Sequence, residues 1–175
     1  VYTYLANAYM AIGRVKAATL SIMEMIRAAP CRMTSPPAAF SSRSRKIFAK
    51  ARRQVMQEDS EAPVLTHVPP AATLLLRTGI LRVKVTDDVG VRHVTLHYRF
   101  GEKGVFGEVD MQRVAPNRYR AKLPMAQLKR APRLEYYIKA TECANRHVAK
   151  QGNERQPLQI VFKQAPVSGK VLGGG

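Results

Sequence analysis

Histidine is the first residue type to consider for metal binding or proton transfer, and the chain has four, His67, His93, His97 and His147. His93 and His97 fall on the same face of a predicted strand. Four residues of strand separate them by roughly 13 Å, at about 3.3 Å per residue. That is too far for both to bind one ion unless the strand bends sharply. We therefore predict no metal site.

The carboxylates and loop motifs do not indicate catalytic chemistry either. Asp87 and Asp88 lie side by side in a predicted turn, where aspartate commonly accepts backbone hydrogen bonds. The sequence Gly-Glu-Lys-Gly at 101–104 is typical of a hairpin turn, and Ser-Gly-Lys at 168–170 lacks the upstream spacing of a phosphate-binding loop. No Gly-x-Ser-x-Gly or His-Glu-x-x-His motif occurs in the sequence. We predict a protein that is not an enzyme, with no catalytic residues and no cofactor.

The two cysteines, Cys31 and Cys143, are far apart in the sequence. Neither has a neighbouring cysteine with which to form a Cys-x-x-Cys or metal-binding pair. A disulfide between them would require the two halves of the chain to dock in one particular way. We expect free, partly buried thiols.

Charge is the strongest feature of the composition. The chain has 29 lysines and arginines against 12 aspartates and glutamates, a formal charge of +17, and the excess is spread over both halves. A field of this sign attracts nucleic acid, anionic lipid or acidic proteins. The alternative is that the basic residues simply keep the surface solvated.

Helical periodicity extends over residues 1–30. Leu5, Tyr9 and Ile12 recur at i, i+4 and i+7 beside Ala6, Gly13 interrupts the pattern, and a second helix ends at Pro30. Residues 31–42 form a connector rich in proline and serine. A third helix is predicted at about 44–57, capped by Ser42 or Ser44.

From residue 63 the apolar residues alternate with a period of two, which is typical of strands. The predicted strands lie at 63–68, 73–76, 79–86, 91–100, 105–112, 117–123, 133–141 and 157–163. So many short strands in about 100 residues indicate a two-sheet antiparallel sandwich. The predicted fold class is therefore α+β with several domains, an α-hairpin and cap helix followed by a β-sandwich.

The first two helices resemble a tetratricopeptide repeat at Leu5, Ala6, Tyr9, Ala18 and Pro30. The resemblance implies that residues 1–60 are the end of a longer repeat array, with the third helix as its cap. The outer helix face, including Tyr2, would then be partly exposed. The first helix of each repeat lines a concave binding groove, so Thr3, Asn7 and Met10 are the predicted ligand contacts.

The third helix is strongly basic and has two interpretations. Arg45, Lys46, Lys50, Arg52 and Arg53 could contact phosphates of a nucleic acid or an anionic membrane surface. Alternatively, they form a solvated face whose arginine stems cover the apolar stripe of a cap helix.

The region 63–165 resembles an immunoglobulin-like or fibronectin-type domain of bacterial envelope proteins. The matching positions are Asp88, Gly90, Val91, Tyr98, Arg99, Leu134, Glu135, Tyr136, Tyr137 and Ala140. Two positions depart from the family pattern. Glu142 stands where aspartate is usual and Ala144 where glycine is usual, which puts the tight turn there in question.

Together the two resemblances imply a protein-binding scaffold of the cell envelope or periplasm, with the repeat groove as binding surface and the β-domain as spacer. Residues 166–175 would be a flexible linker, and a membrane tether could lie outside this stretch of sequence. The partner would be a protein of unknown identity. A cytoplasmic location, and a function in binding nucleic acid or an anionic surface, remain the alternatives.

Overall fold

The computed structural model describes residues 1–162 of the chain. It begins with an antiparallel pair of helices, α1 (Tyr2–Ala11) and α2 (Val15–Ala28). Gly13, between them, has a φ of +73°, which a residue with a Cβ adopts only at a cost. Glycine at this position therefore allows the very short turn that the sequence predicted.

Helix α3 (Ser42–Gln57) follows the connector. Ser41 is its N-cap, since the Ser41 side chain accepts a hydrogen bond from the backbone N–H of Ser44. The predicted start was therefore correct to within a few residues. Its buried stripe contains Phe48, Ala51 and Val55, and these pack with Ile22 and Ile26 of α2 in one apolar core.

The face that α1 buries differs from the predicted stripe. Ala6 and Met10 are buried, whereas Leu5 is 40% exposed and Ile12 is 65% exposed. The small side chain of Ala6 lets α1 approach its neighbours closely, which favours the face centred on Ala6 over the face that carries the larger Leu5.

The rest of the described chain is β-rich. In chain order it contains β1 (Val64–Thr66), helix α4 (Ala72–Thr78), β2 (Ile80–Thr86), β3 (Val91–Phe100), β4 (Gly107–Asp110), β5 (Gln112–Ala115), β6 (Arg118–Lys122), helix α5 (Met125–Leu128), β7 (Arg133–Glu142), β8 (Val148–Gln151) and β9 (Leu158–Val161). Among these residues the strands form two sheets, ordered β1-β2-β6-β5 and β4-β3-β7-β8, with β9 also paired to β7. The pairs β1–β2, β3–β4, β5–β6 and β7–β9 are antiparallel. The α+β class, with a helical part followed by a β-rich part, is confirmed.

Three details of the strand prediction were wrong. The segment 73–76, predicted as a strand, is part of α4, and the two short strands β5 and β8 were not predicted as separate strands. A run of apolar residues such as Leu74–Leu76 has no periodicity that separates helix from strand. Helix α4 ends at Gly79, whose φ of +64° and N–H bond to the Leu75 carbonyl form a left-handed C-cap.

The described residues divide by packing into two units. The helical unit contains 1–66, 84–94 and 139–149, and the sheet unit contains 67–83, 95–138 and 150–162. This division does not follow the predicted boundary between 60 and 63. The predicted linker 166–175 and the end of the predicted 63–165 domain lie outside the described residues. Among residues 1–162, no helix is both long enough and apolar enough to cross a membrane.

Candidate functional site

The three residues predicted to line a binding groove make contacts within the helical unit. Asn7 donates a hydrogen bond to the Ala39 carbonyl at 2.7 Å and accepts one from the Ser44 hydroxyl at 2.9 Å. Met10 is buried, and the Thr3 hydroxyl lies 3.7 Å from the Met25 sulfur. These contacts attach α1 to the connector and to the start of α3. The predicted ligand role of Thr3, Asn7 and Met10 stays a prediction.

The basic residues of α3 fall into two groups. Arg45 donates to the carbonyls of Phe40 and Ala38, and Arg52 donates to the Met33 carbonyl. Both therefore hold the connector in place. The others are exposed, and helical spacing places them on a single stripe away from the core. This basic face of α3 consists of Arg43, Lys46, Lys50 and Arg53.

Helix α1 carries a second apolar face opposite the one it buries. Its residues recur at helical spacing and are all exposed: Val1, Tyr4, Leu5, Ala8 and Ile12. We call these residues the outer face of α1. The helix Tyr2–Ala11 contains no charged side chain, and a helix that is apolar on all sides is usually covered on all sides. Tyr2, which was predicted to be partly exposed, is 42% exposed, but this outer face also includes Leu5 and Ile12 of the stripe that was predicted to be buried.

The expectation of free thiols was wrong, because Cys31 and Cys143 form a disulfide. Their Cα atoms are 4.9 Å apart, although 112 residues separate them in the sequence. Both cysteines belong to the helical unit, where the turn after β7 packs into the core beside the connector. A Cβ added at Gly90 would lie 2.9 Å from Pro30 Cγ and 3.1 Å from Cys143 Sγ, which shows how closely these segments approach.

The same unit contains a cluster of four carboxylates drawn from three separate segments. We call Asp59, Asp87, Asp88 and Glu142 the acidic cluster. Ligand atoms of Asp59, Asp87 and Asp88 all lie within 4.8 Å of one another, and so do those of Asp59, Glu142 and His147. Asp59 belongs to both groups and is therefore the centre of the cluster.

Most of the cluster oxygens have hydrogen-bond donors. Asp87 Oδ1 accepts from the N–H groups of Val89 and Gly90, which is the predicted turn role. Asp88 Oδ2 accepts from the Ser60 N–H at 3.1 Å. Glu142 Oε1 accepts from the N–H groups of Arg146 and His147 at 2.9 and 2.8 Å. Glu142 therefore closes a turn in place of the aspartate usual in the resembled family.

Three buried oxygens of the cluster have no donor. They are both carboxylate oxygens of Asp59 and Oδ2 of Asp87. Asp59 is completely buried. The Arg146 guanidinium lies close by, but it donates to the backbone carbonyls of Met56 and Asp59 rather than to a cluster carboxylate.

The pKa values of the cluster reflect this crowding. Burial, followed by the proximity of Glu142 and Asp87, raises the pKa of Asp59 to about 7. Burial also raises the pKa of Asp87. For Glu142 burial acts in the same direction, but the adjoining Asp59 carboxyl and the His147 and Arg146 N–H groups outweigh it and lower the pKa. Four charges cannot be held here without compensation.

The sheet unit contains two smaller polar arrangements. The His67 ring lies between the Arg82 carbonyl, 2.5 Å from Nδ1, and the Tyr136 hydroxyl, 2.8 Å from Nε2. Buried Glu135 accepts from Arg99 at 2.8 Å and pairs with Arg133. Each of these side chains has its charge or polar groups satisfied by a neighbour, and Arg133 also pairs with Glu102.

An open cleft of about 530 Å³ also lies in the sheet unit, lined by Tyr98, Lys122, Leu123, Pro124 and Met125. Its lining is mostly apolar, with one lysine. Tyr98, one of the positions matched to the immunoglobulin-like pattern, lines this cleft. Tyr136, another of them, forms the buried hydrogen bond with His67.

Neither a known protein-family model nor any curated protein that was compared matches this chain.

Proposed function

We propose that this protein is a non-catalytic scaffold of a bacterial envelope that binds another protein through its helical unit. The outer face of α1 is the observation that carries the proposal. The tetratricopeptide-like hairpin and the immunoglobulin-like character of the β-rich part are part of the same proposal, supported by the matched residues of the sequence. The predicted groove residues Thr3, Asn7 and Met10 would act by holding α1 in position.

The partner's chemistry follows from the outer face and its border. Tyr4 is 79% exposed and Ile12 is 65% exposed, so the face offers large apolar side chains to a matching surface. Arg14 and Lys16, both exposed, follow at one end of it. The proposed partner is an amphipathic protein helix with an apolar stripe and carboxylates along its edge.

The disulfide supports the envelope location. Structural disulfides form and persist in oxidising compartments such as the bacterial periplasm and are rare in the cytosol. The Cys31–Cys143 bond lies in the core of the helical unit. The proposal therefore places the chain on the oxidising side of the inner membrane.

Affinity capture with matched variants tests the proposal. The full chain, Ile12→Glu and Leu20→Glu would each be used as bait in envelope extracts. Leu20 is 60% exposed on α2 and lies off the outer face, so its variant controls for the loss of an exposed apolar group. We expect a protein that is retained by the wild type and by Leu20→Glu and is lost with Ile12→Glu.

That protein must then bind the purified chain directly, through a segment with the stated apolar stripe and acidic edge. The proposal would be wrong if the captured proteins are the same for all three baits. It would also be wrong if the purified chain forms a dimer that Ile12→Glu abolishes, because a second copy would then cover the face.

The basic face of α3 favours a second candidate function, binding to nucleic acid or another anionic surface. We propose it as the alternative because four exposed cations on one helical stripe can contact successive phosphates. A salt titration of binding to random duplex DNA tests it. Four phosphate contacts predict a slope of log K against log salt of about −3.6.

The variant for this test replaces all four residues of the basic face of α3 by alanine. Its matched control replaces by alanine four exposed basic residues of the strands, Arg113, Arg118, Arg120 and Lys122. The alternative requires the first variant alone to lose the salt-dependent binding. Absence of binding at low salt, or an equal loss in both variants, would eliminate it.

A further inference from the structure

The acidic cluster has a property that neither the interaction surfaces nor the turn hydrogen bonds explain. Asp59 is completely buried, and neither of its carboxylate oxygens has a hydrogen-bond donor. Leaving a buried carboxylate without a partner is expensive in free energy. Asp87 Oδ2 is a third buried oxygen in the same position. Such oxygens need either a proton or a cation.

The arrangement of the cluster favours a cation. Asp59 belongs to two groups of mutually close ligand atoms, one with Asp87 and Asp88 and the other with Glu142 and His147. A single proton shared between two oxygens could compensate only that one pair. The oxygens without a donor are three, and they belong to two different carboxylates, Asp59 and Asp87. Arg146 and His147 do not donate to these oxygens, because Arg146 donates to backbone carbonyls and the His147 ring contacts Glu142.

The donor chemistry selects the cation. Asp59, Asp87 and Asp88 offer carboxylate oxygens from two chain segments, and the one imidazole of the neighbouring group, that of His147, is directed at Glu142. Several carboxylate oxygens in an irregular arrangement suit calcium, which accepts six to eight oxygen ligands at about 2.3–2.6 Å. Zinc would require more nitrogen or sulfur ligands, and magnesium requires a more regular octahedron.

We propose that Asp59, Asp87 and Asp88 bind a calcium ion. Asp59 would supply the central carboxylate, and Asp87 and Asp88 would add ligands from the β2–β3 turn. The ion would join the end of α3 to this turn within the helical unit. Calcium binding is therefore expected to stabilise this unit against unfolding.

The test uses the full 175-residue chain with its disulfide intact, freed of metal by chelation, at pH 8. Thermal unfolding and titration calorimetry would be recorded with calcium, magnesium or zinc chloride. At free calcium about 100 times above Kd, the unfolding temperature should rise by roughly 5–10 °C. Magnesium should produce a smaller shift at the same concentration.

Asp59→Asn is the main variant, because it keeps the shape of the side chain and removes its charge. We expect it to bind calcium at least about tenfold more weakly than the wild type, through the loss of one charged ligand. In chelator, the variant should unfold at the same temperature as the wild type or higher, because a buried uncompensated charge has been removed. A variant that simply misfolded would be less stable in both conditions.

Asp88→Asn, on the exposed edge of the cluster, provides a second variant that does not disturb the buried groups. Glu61→Gln is the matched control, since Glu61 is exposed and lies two residues from Asp59. It should bind calcium as the wild type does. The proposal is overturned if about 10 mM calcium, above the weakest protein sites, leaves the wild-type unfolding temperature unchanged. It is also overturned if Asp59→Asn binds calcium normally, or if zinc alone stabilises the chain.

Discussion

At the scale of single residues, His67 shows how burial determines a protonation state. The Arg82 carbonyl can only accept a hydrogen bond, so Nδ1 of His67 carries the proton and Nε2 accepts from the Tyr136 hydroxyl. Burial, the largest effect, lowers the pKa of His67 below its ordinary value of 6.5. The folded chain therefore holds His67 as a neutral side chain.

This arrangement makes the stability of the chain depend on pH. Because the pKa is lower in the folded state, the unfolded state binds more protons below pH 6.5, and the contribution of His67 to stability is lost as the pH falls. As the pH falls from 7 to 5, we expect the free energy of unfolding of the wild type to decrease relative to that of His67→Gln. The decrease should be no more than about 1.4 kcal/mol per pH unit. Urea unfolding at several pH values measures this difference.

His93→Gln serves as the matched control, because His93 is an exposed histidine of a strand. It should leave the pH dependence of the wild type unchanged. Parallel pH profiles for wild type and His67→Gln would show that His67 is not held neutral, and the assignment of its hydrogen bonds would then be incorrect.

At the scale of elements, Gly79 connects the end of α4 to the start of β2. Its φ is +64°, and a Cβ added there would overlap the Met125 sulfur and lie 3.3 Å from the Leu123 carbonyl oxygen. Gly13 has a similar φ of +73°, but a Cβ there would meet nothing within 4 Å. Comparing the same substitution at the two glycines therefore distinguishes the cost of backbone strain from the cost of steric overlap.

We expect Gly13→Ala to lower the free energy of unfolding by about 1 kcal/mol through the left-handed backbone alone. Gly79→Ala should cost more, by about 1–3 kcal/mol, because Met125 and the Leu123 carbonyl must also move. Chemical denaturation of both variants checks this difference. Equal losses would show that the space around Gly79 adapts without cost.

The same elements show what could be predicted from sequence. The α-hairpin and the start of α3 were predictable because Gly13, Pro30 and the serines near residue 42 are local signals. Helix α4 was missed because its three leucines suit a helix or a strand equally, although Gly79 was a recognisable helix stop. The face that α1 buries depended on how Ala6 packs, which local spacing does not determine.

Local sequence signals could not predict the acidic cluster or the disulfide. Asp87 and Asp88 were recognised as turn residues, but Asp59 and Glu142 come from distant segments and meet only when α3, the β2–β3 turn and the end of β7 pack together. Cys31 and Cys143 were brought together by the same packing. The sequence contained the residues of both arrangements and no local signal that they are neighbours.

At the scale of the whole molecule, the disulfide closes a long loop of the chain. Cross-linking residues 112 positions apart removes many conformations from the unfolded state, and losing a native disulfide typically costs about 2–5 kcal/mol. We expect Cys31→Ser/Cys143→Ser to unfold roughly 5–15 °C below the oxidised wild type. Calorimetry with and without reductant measures this.

Reductant should lower the unfolding temperature of the wild type and leave that of the double variant unchanged. Mass spectrometry after alkylation, without prior reduction, should find no free thiol in the wild type. Two alkylated cysteines, together with an unfolding temperature that reductant does not change, would contradict the disulfide. The support for an oxidising compartment would then be lost as well.

The proposed scaffold function requires that another protein covers the outer face of α1. The most direct measurement places a photo-activated cross-linking residue at Tyr4, in cells producing the chain, and the same residue at Val105 as control. Both side chains are exposed, at 79% and 94%. We predict a discrete protein adduct from position 4 that is absent from position 105 and is lost when Ile12→Glu is added. An adduct with nucleic acid, or the same adducts from both positions, would contradict the proposed function.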